Sequence, residues 1–340
     1  MTLLTPRSTA TEKPLVSILL PVKNAGEQFD HVLRAIEQQR GVKFELIVVD
    51  SGSSDQTVQK VLELQKRAAF PVRVSRIKAQ DFGHGKTRNF LAQQAHGEIL
   101  VLLTHDASPM TPHYLRYITA PFEDKRVGLV FGPQRSRPDS NPIIRAELLA
   151  FFDGFAIDGK TTRYATRAAR EVDRVGKSND EVMRFSSDAN AAIRRSAWQE
   201  CAFRDVTYCE DQLIARDLLE RGWHKVFEPR AAVYHSHNFG VVEFFRRYVD
   251  EWHGMFMAFD YIDVRHAWWL PGRVLRACIA IRHSLASDPR LSIYQKVLWY
   301  PRAAALATMR QLGGYIGPRL DRMPRWIKQR LSREHHLLNA

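Results

Sequence analysis

Through its first 135 residues the chain alternates short apolar runs with stretches of helical spacing, and this alternation constrains the fold more than any other feature. Val16–Pro21, Phe44–Val49, Val72–Ile77, Ile99–Leu103 and Val127–Phe131 read as buried strands. Gln28–Gln38, Asp55–Arg67 and Lys86–Ala95 read as helices between them. Strands separated by helices in this way predict a parallel, doubly wound sheet. Such sheets bind ligands at the carboxyl ends of their strands, so the polar residues just after each strand are the candidates for function.

The first strand leads into Pro21-Val22-Lys23-Asn24-Ala25-Gly26. It lacks the GxGxxG that lets a dinucleotide's pyrophosphate approach the backbone, which argues against hydride transfer. The second strand ends in Asp50-Ser51-Gly52-Ser53-Ser54-Asp55. Asp50 there can accept hydrogen bonds from a pyrimidine or a ribose, and the same residues also read as a plain N-cap turn. After the third strand, Asp81 to Asn89 combines Gly83 and Gly85 with His84, Lys86 and Arg88 at a helix start, a pattern that suits an anion. The fourth strand ends in Thr104-His105-Asp106, which places a carboxylate where a divalent metal could bridge a nucleotide diphosphate. Further on, Glu210-Asp211 opens a helix, and the pair reads either as catalytic or as carboxylates that complement the helix dipole. His235 and His237 share one face of a strand, as ligands or as ordinary surface residues.

The rest of the chain is less regular. Arg135–Pro142 reads as turn-rich, Thr161–Ser186 as a charged loop, and Arg184–Arg194 and Lys225–His235 as strands. Glu210–Arg221 is helical and closes at Gly222. Val242–Tyr261, Val274–Ala286, Ile293–Arg310 and Arg322–Ser332 are candidate helices. With 45% hydrophobic and 26% charged residues, disorder and fibrous repeats are excluded. The net charge of +13 is concentrated: Val264–Ala340 holds 14 basic and 3 acidic residues. A basic end on a nearly neutral body predicts contact with an anionic surface. Trp268, Trp269, Trp299, Tyr300 and Trp326 lie among those arginines, which favours a phospholipid headgroup zone. Three cysteines without CxxC spacing fit a reducing compartment. Met1–Lys13 is short and polar, unlike a signal peptide, and no run is apolar enough to span a bilayer. These features predict a cytoplasmic protein attached peripherally to a membrane.

Taken in order, the matching pieces form a series. It runs from the first strand with Pro21 through Asp50 to Asp55, Phe82 to Asn89 and Leu103 to Pro109, then Gln134 to Pro142, Ser187 to Arg195, Glu210-Asp211 and Tyr234 to Asn238. Across roughly residues 14 to 250 this series resembles glycosyltransferase family 2, and most closely its rhamnosyltransferase branch. The resemblance implies the GT-A fold, an α/β architecture with a Rossmann-like mixed sheet flanked by helices. It implies a catalytic domain over 14–240 and a helical, basic, membrane- or acceptor-associated region over 241–340.

The activity implied is inverting transfer of L-rhamnose from dTDP-β-L-rhamnose to a hydroxyl of a lipid-linked or cell-surface polysaccharide of the bacterial envelope. By resemblance, Asp211 is the general base and Glu210 helps place the acceptor. Donor contacts are implied at Pro21, Lys23, Asp50, Ser51, Ser53, His84, Lys86, Arg88, Asn89, His105 and Asp106. A divalent metal, Mg2+ or Mn2+, is implied at Asp106, His235 and His237. Thr104 stands where the family's DxD has its first carboxylate, which implies a weaker metal site. Another UDP-, GDP- or dTDP-sugar donor stays open, because sugar choice depends on loop shape. A non-enzymatic nucleic-acid-binding protein is the remaining alternative. The chain has no helix-turn-helix, zinc finger or RRM-like aromatic motif, so no nucleic-acid partner is expected.

Overall fold

The computed structural model describes residues 16–165 and 179–333. Met1–Lys13, residues 166–178 of the charged Thr161–Ser186 stretch, and the last seven positions lie outside the described residues. Two compact units are present. The first comprises the chain up to Arg137 with Leu148–Val206 and Glu210–Ser236; the second comprises Pro138–Glu147, Thr207–Cys209 and the chain from His237 on.

The strands, in chain order, are β1 (Val16–Val22), β2 (Phe44–Asp50), β3 (Val72–Arg76), β4 (Ile99–Leu103), β5 (Ser108–Pro109), β6 (Val127–Phe131), β7 (Gln134–Arg135), β8 (Thr162–Tyr164), β9 (Asn190–Arg194), β10 (His224–Phe227) and β11 (Val233–Tyr234). Helices α1 (Phe29–Glu37), α2 (Thr57–Arg67), α3 (His84–Gln94), α4 (Tyr114–Thr119), α5 (Pro142–Asp153), α6 (Asn179–Arg184), α7 (Arg195–Glu200) and α8 (Glu210–Glu220) lie between them.

The main sheet has the order β3-β2-β1-β4-β9-β6-β10-β8. The β3-β2-β1-β4 block is parallel throughout, as the alternating sequence pattern requires. The parallel expectation fails at β9, which runs antiparallel to both β4 and β6, and at the edge strand β8. The reason is local. β9 is followed directly by α7, and only the short α6 is described between β8 and β9. Its register sets Asn190 opposite Leu103 of β4.

β2 and β4 are buried along their whole length, which accounts for the unbroken Ile/Leu/Val run of β4 and the Leu46–Val49 run of β2. One face of the sheet is covered by Phe29, Val32 and Ile36 of α1 with Tyr114, Leu115 and Ile118 of α4. The other is covered by Leu91 and Ala92 of α3, Phe155, and Ile214 and Leu218 of α8. A smaller sheet, β5-β11-β7, carries the chain past the end of the main one. The stretch read as a single strand over Lys225–His235 therefore divides into β10 and β11. Gly222, at φ +87°, closes α8 as its sequence suggested.

In the second unit, α9 (Val241–Phe259), α10 (Leu270–Ser287), α11 (Ile293–Ile316) and α12 (Arg325–Leu331) form the helical, basic end of the chain. Their core is small: Ile143, Phe244, Tyr248, Leu285, Ala303 and Leu306. α11 starts from a Ser292/Gln295 capping box. It approaches α9 so closely that a Cβ on Gly313 would lie 2.7 Å from Cβ of Tyr248. Among the described residues, no helix is long and apolar enough to cross a membrane.

Candidate active site

The carboxyl ends of β1, β2, β3, β4, β6 and β10 share one edge of the main sheet, and antiparallel β9 begins there. The loops leaving that edge carry the candidate residues.

The exits of β1 and β2 are knitted together. Ser53 Oγ accepts from the Asn24 amide at 2.8 Å, and Asn24 Oδ1 accepts from the Ser54 amide at 2.8 Å. Asn24 sits at φ +45° and Gly52 at φ +95°, so both loops turn through left-handed backbone. Asp50 accepts from its own loop at the Ser53 amide (3.1 Å) and the Gly52 amide (3.3 Å), and faces Arg76 at 3.3 Å. Its side chain is only 1% exposed. Both oxygens thus hold the turn that the sequence offered as the second reading of this segment. Ser51 donates to the Val22 carbonyl, Pro21 is half-buried, and Lys23 is exposed at the rim.

The His84 to Asn89 segment opens α3 and is held by the segment that precedes α8. A Cβ on Gly85 would lie 2.1 Å from the Arg204 carbonyl, so only glycine permits this approach. Asn89 donates to the Phe203 carbonyl (2.8 Å) and accepts from the Phe203 amide and Trp198 Nε1 (3.0 Å each). The structure thus gives Gly85 and Asn89 the work of fixing residues 203–204. Lys86 is exposed, His84 half-buried, and Arg88 buried.

Asp106, His235 and His237 each offer one ligand atom, and these atoms lie within 4.8 Å of one another. β11 and the residues after it bring both histidines to the loop that follows β4. His235 Nε2 lies 3.5 Å from Asp106 Oδ1, while its Nδ1 meets Gln134 Oε1 at 2.7 Å. Gln134 in turn donates to Ser187 Oγ at 2.7 Å. Arg137 donates to the Asp106 carbonyl and, at 2.7 Å, to the Ser236 carbonyl, tying the two loops together. A carboxylate with two imidazoles, one oriented through its second nitrogen, is a donor set that fits a divalent metal. His105 is half-buried beside Asp106, and the Thr104 hydroxyl is buried without a hydrogen bond.

Glu210 and Asp211 open α8 beside two residues from elsewhere in the same unit. Arg88 Nε lies 2.5 Å from Asp188 Oδ2, and its Nη1 lies 3.4 Å from Glu210 Oε1. The Arg88 and Asp188 side chains are each 5% exposed. Nδ1 of His84 approaches Glu210 at 3.9 Å. Asp211 accepts from the Gln212 amide at 2.8 Å. Burial first, and then the charge of Glu210, push Asp211 up to about 7. Burial also drives Asp188 well above the usual carboxylate range, against the pull of Arg88. The same burial holds His84 below its ordinary value. Three carboxylates against one guanidinium cannot all be ionised in so dry a site, so the cluster retains a proton near neutrality.

Gln134, Arg137, Ser187 and Asp188 complete these two clusters, and sequence reading gave none of them a role. The signal was present, because all four fall in segments already picked out as part of the ordered series. What a sequence does not show is that β9 enters antiparallel and delivers Ser187 and Asp188 to the same edge as Asp106.

The glycosyl transferase family 2 model matches residues 17–201. The chain is 27% identical to the O-antigen chain rhamnosyltransferase RfbN of Salmonella typhimurium, over 91% of each protein. It is 26% identical to the O-antigen chain rhamnosyltransferase WbaN of Salmonella anatum, over 92% of this chain and 91% of that one. The mannosyltransferase PcManGT of Pyrobaculum calidifontis, solved with GDP-Man and Mn2+, superposes with a TM-score of 0.60 at 16% identity. That match covers 94% of this chain and 92% of the other, and at such identity it speaks for the fold alone. With the mixed sheet, the ordered loops at its carboxyl edge and a family match over more than half its length, the chain belongs to glycosyl transferase family 2 and is a glycosyltransferase of the GT-A fold.

Proposed function

We propose that the protein transfers L-rhamnose, with inversion, from dTDP-β-L-rhamnose to a hydroxyl of a lipid-linked or cell-surface polysaccharide. The observation that carries the reading is that an Asp/His donor set and the Glu210-Asp211 pair, Glu210 buried and Asp211 half-buried, both lie on segments at the carboxyl edge of the main sheet. The two O-antigen rhamnosyltransferases matched over nine-tenths of their length support the choice of sugar and acceptor class.

Asp106, His235 and His237 would hold a divalent metal, Mg2+ or Mn2+, whose charge offsets that of a departing diphosphate. Asp211 takes the proton of the acceptor hydroxyl as that oxygen attacks the anomeric carbon from the face opposite the leaving group. With its carboxyl raised to about 7, Asp211 is basic enough to receive that proton and still substantially ionised at neutral pH. Glu210, held by Arg88 at Oε1, would help place the acceptor. No second carboxylate acts as nucleophile, and a single displacement turns a β donor into an α-rhamnoside. Lys23, Lys86, His105 and Ser53, all on loops at the strand ends, are the groups proposed to meet the donor. The loop that Asp50 and Ser51 shape would place them.

The helical unit is proposed to rest on the cytoplasmic face of the inner membrane. Trp268, Tyr294, Val297 and Trp326 are exposed there among unpaired basic side chains such as Arg276 and Arg282. A donor panel tests the catalytic reading. Purified protein is challenged with dTDP-rhamnose, UDP-sugars and GDP-sugars, with and without Mg2+ or Mn2+, by thermal shift and donor hydrolysis. Metal-dependent stabilisation by dTDP-rhamnose above the others is expected. A UDP- or GDP-sugar bound more tightly would replace rhamnose in the proposal.

A further inference from the structure

Arg88 belongs to the α3 segment whose cations suggest an anion site, yet it does not point at open solvent. It is buried, its guanidinium forms ion pairs with Asp188 Oδ2 at 2.5 Å and Glu210 Oε1 at 3.4 Å, and Nη1 donates a hydrogen bond to the His84 carbonyl at 3.3 Å. Asp211 adjoins Glu210 in sequence, yet its closest donor is an uncharged amide, that of Gln212 at 2.8 Å. The buried cation is thus turned to one side of a three-carboxylate cluster, and Asp188 is the group that holds it there.

We propose that Asp188 is a positioning residue of the transfer reaction: its grip on Arg88 Nε keeps the guanidinium turned toward Glu210 and leaves Asp211 as the carboxylate able to take the acceptor's proton. The proposal rests on Asp211 being the base. Asp188 itself touches no reacting atom. It reaches the site because β9 runs antiparallel and starts at the carboxyl edge, where Asn190 pairs with Leu103 and Asp188 lies two residues before it. The charged and titratable groups that face Asp211 are Glu210, Arg88, Asp188 and, through Glu210, His84. An Arg88 released from Asp188 has Glu210 and Asp211 as its remaining anionic partners. An opposite charge at that range lowers a carboxyl by about one to three pH units, which would leave Asp211 too weak a base near neutrality.

The test is Asp188→Asn, which keeps the shape and removes the charge. Two readouts are used: the titration midpoint of Asp211, from carboxyl-13C aspartate NMR with Asp211→Asn identifying the signal, and the acid limb of dTDP-rhamnose hydrolysis with water as acceptor. Both should move to lower pH by about one unit or more. The double variant Asp188→Asn with Arg88→Gln removes both partners of the buried pair, so no guanidinium is left to turn toward Asp211. Its midpoint should return to within about half a unit of the wild-type value, because no displaced guanidinium remains.

An unmoved midpoint in Asp188→Asn overturns the proposal, and so does a double variant whose midpoint stays low. If the single variant does not fold, the double variant alone decides by the same criterion. Wild-type hydrolysis by Asp211→Asn would instead remove the base itself, so the failure of that reading is seen separately from the failure of this one.

Discussion

The two units spend their side chains in opposite ways. The first buries its apolar residues on both faces of a sheet and gathers charge at one edge, with Asp106 beside His235 and Arg88 between Asp188 and Glu210. The second has a small core and leaves its apolar residues outside. Among the described residues, Phe82, Met110 and Leu149 are the large apolar side chains exposed in the first unit, and all the others, from Val242 to Trp326, belong to the second. Ile293 at 82% exposure and Trp268 at 75% are extremes that a water-facing helix does not need. The first unit thus presents chemistry and the second presents surface. A thin core under an apolar and basic exterior suits attachment.

The sharpest way to break this contrast is at Asp211. Asp211→Asn keeps the shape but cannot accept a proton, so transfer should fall by about 10² to 10⁴ while donor affinity changes little. Transfer rate, calorimetric donor binding and melting temperature on one preparation decide it. A lowered melting point with near-normal transfer would return Asp211 to being a first-turn helix carboxylate. The wild-type rate should also rise with pH through about 7 as Asp211 ionises. The stability sign is the reverse. Burial raises the folded-state carboxyl above its unfolded value, so this group's contribution is fully present below about pH 4 and is lost as pH climbs through about 7.

Gln134→Ala sharpens the comparison one step down. It leaves Asp106, His235 and His237 in place but removes the 2.7 Å bond that orients His235. Loss of such a partner costs about 10- to 100-fold in metal affinity, measurable by Mn2+ titration without substrate. Unchanged Mn2+ binding would mean that His235 is not a ligand.

The fold was legible because the parallel strands are short, mostly apolar runs separated by helical spacing, and the strand ends read from sequence agree with those observed to within a residue. What was not legible has physical causes. α5 was absent from the reading because Pro142–Asp153 is apolar with little amphipathic contrast. β8 is three residues long and sits in a charged stretch. The Asp/His cluster and the Glu210-Asp211 pair stood out as residue types after strands or at a helix start. Asp188 and Gln134 did not, because their roles depend on an antiparallel neighbour and on hydrogen bonds between segments more than 50 residues apart. The motif around α3 misled in a useful way. Gly85 and Asn89 suggest a phosphate loop, but they are spent on the backbone of residues 203–204.

That assignment yields a smaller prediction. Asn89→Ala strands Trp198 Nε1 and the Phe203 amide and carbonyl, and a buried group left unpaired costs about 1–3 kcal/mol. The variant should melt earlier and bind donor normally once folded. A loss of donor affinity at unchanged melting temperature would restore Asn89 to the donor site.

The smallest effect is expected on the second unit, and it tests the other half of the contrast. The exposed groups there are not the set that aromatic residues alone would suggest. Trp299 is partly buried against the small core, with Arg302 over its ring at 5.3 Å. The first turns of α11 instead expose Ile293, Tyr294, Val297 and Leu298, and α10 exposes Leu275 and Ile279 alongside Arg276 and Arg282. A bilayer carrying anionic lipid would gain about 1 kcal/mol from each basic residue near its surface, before screening. Arg276→Gln with Arg282→Gln should therefore lower affinity for anionic vesicles by roughly ten- to thirtyfold at low salt, and less as salt rises. Ile293→Ser with Val297→Ser should weaken binding at all salt concentrations, because apolar burial is not screened. Flotation with vesicles of phosphatidylglycerol and phosphatidylethanolamine separates the two contributions. Equal flotation of all forms would leave the apolar exterior of the second unit to a protein partner and end the membrane reading, with the chemistry of the first unit untouched.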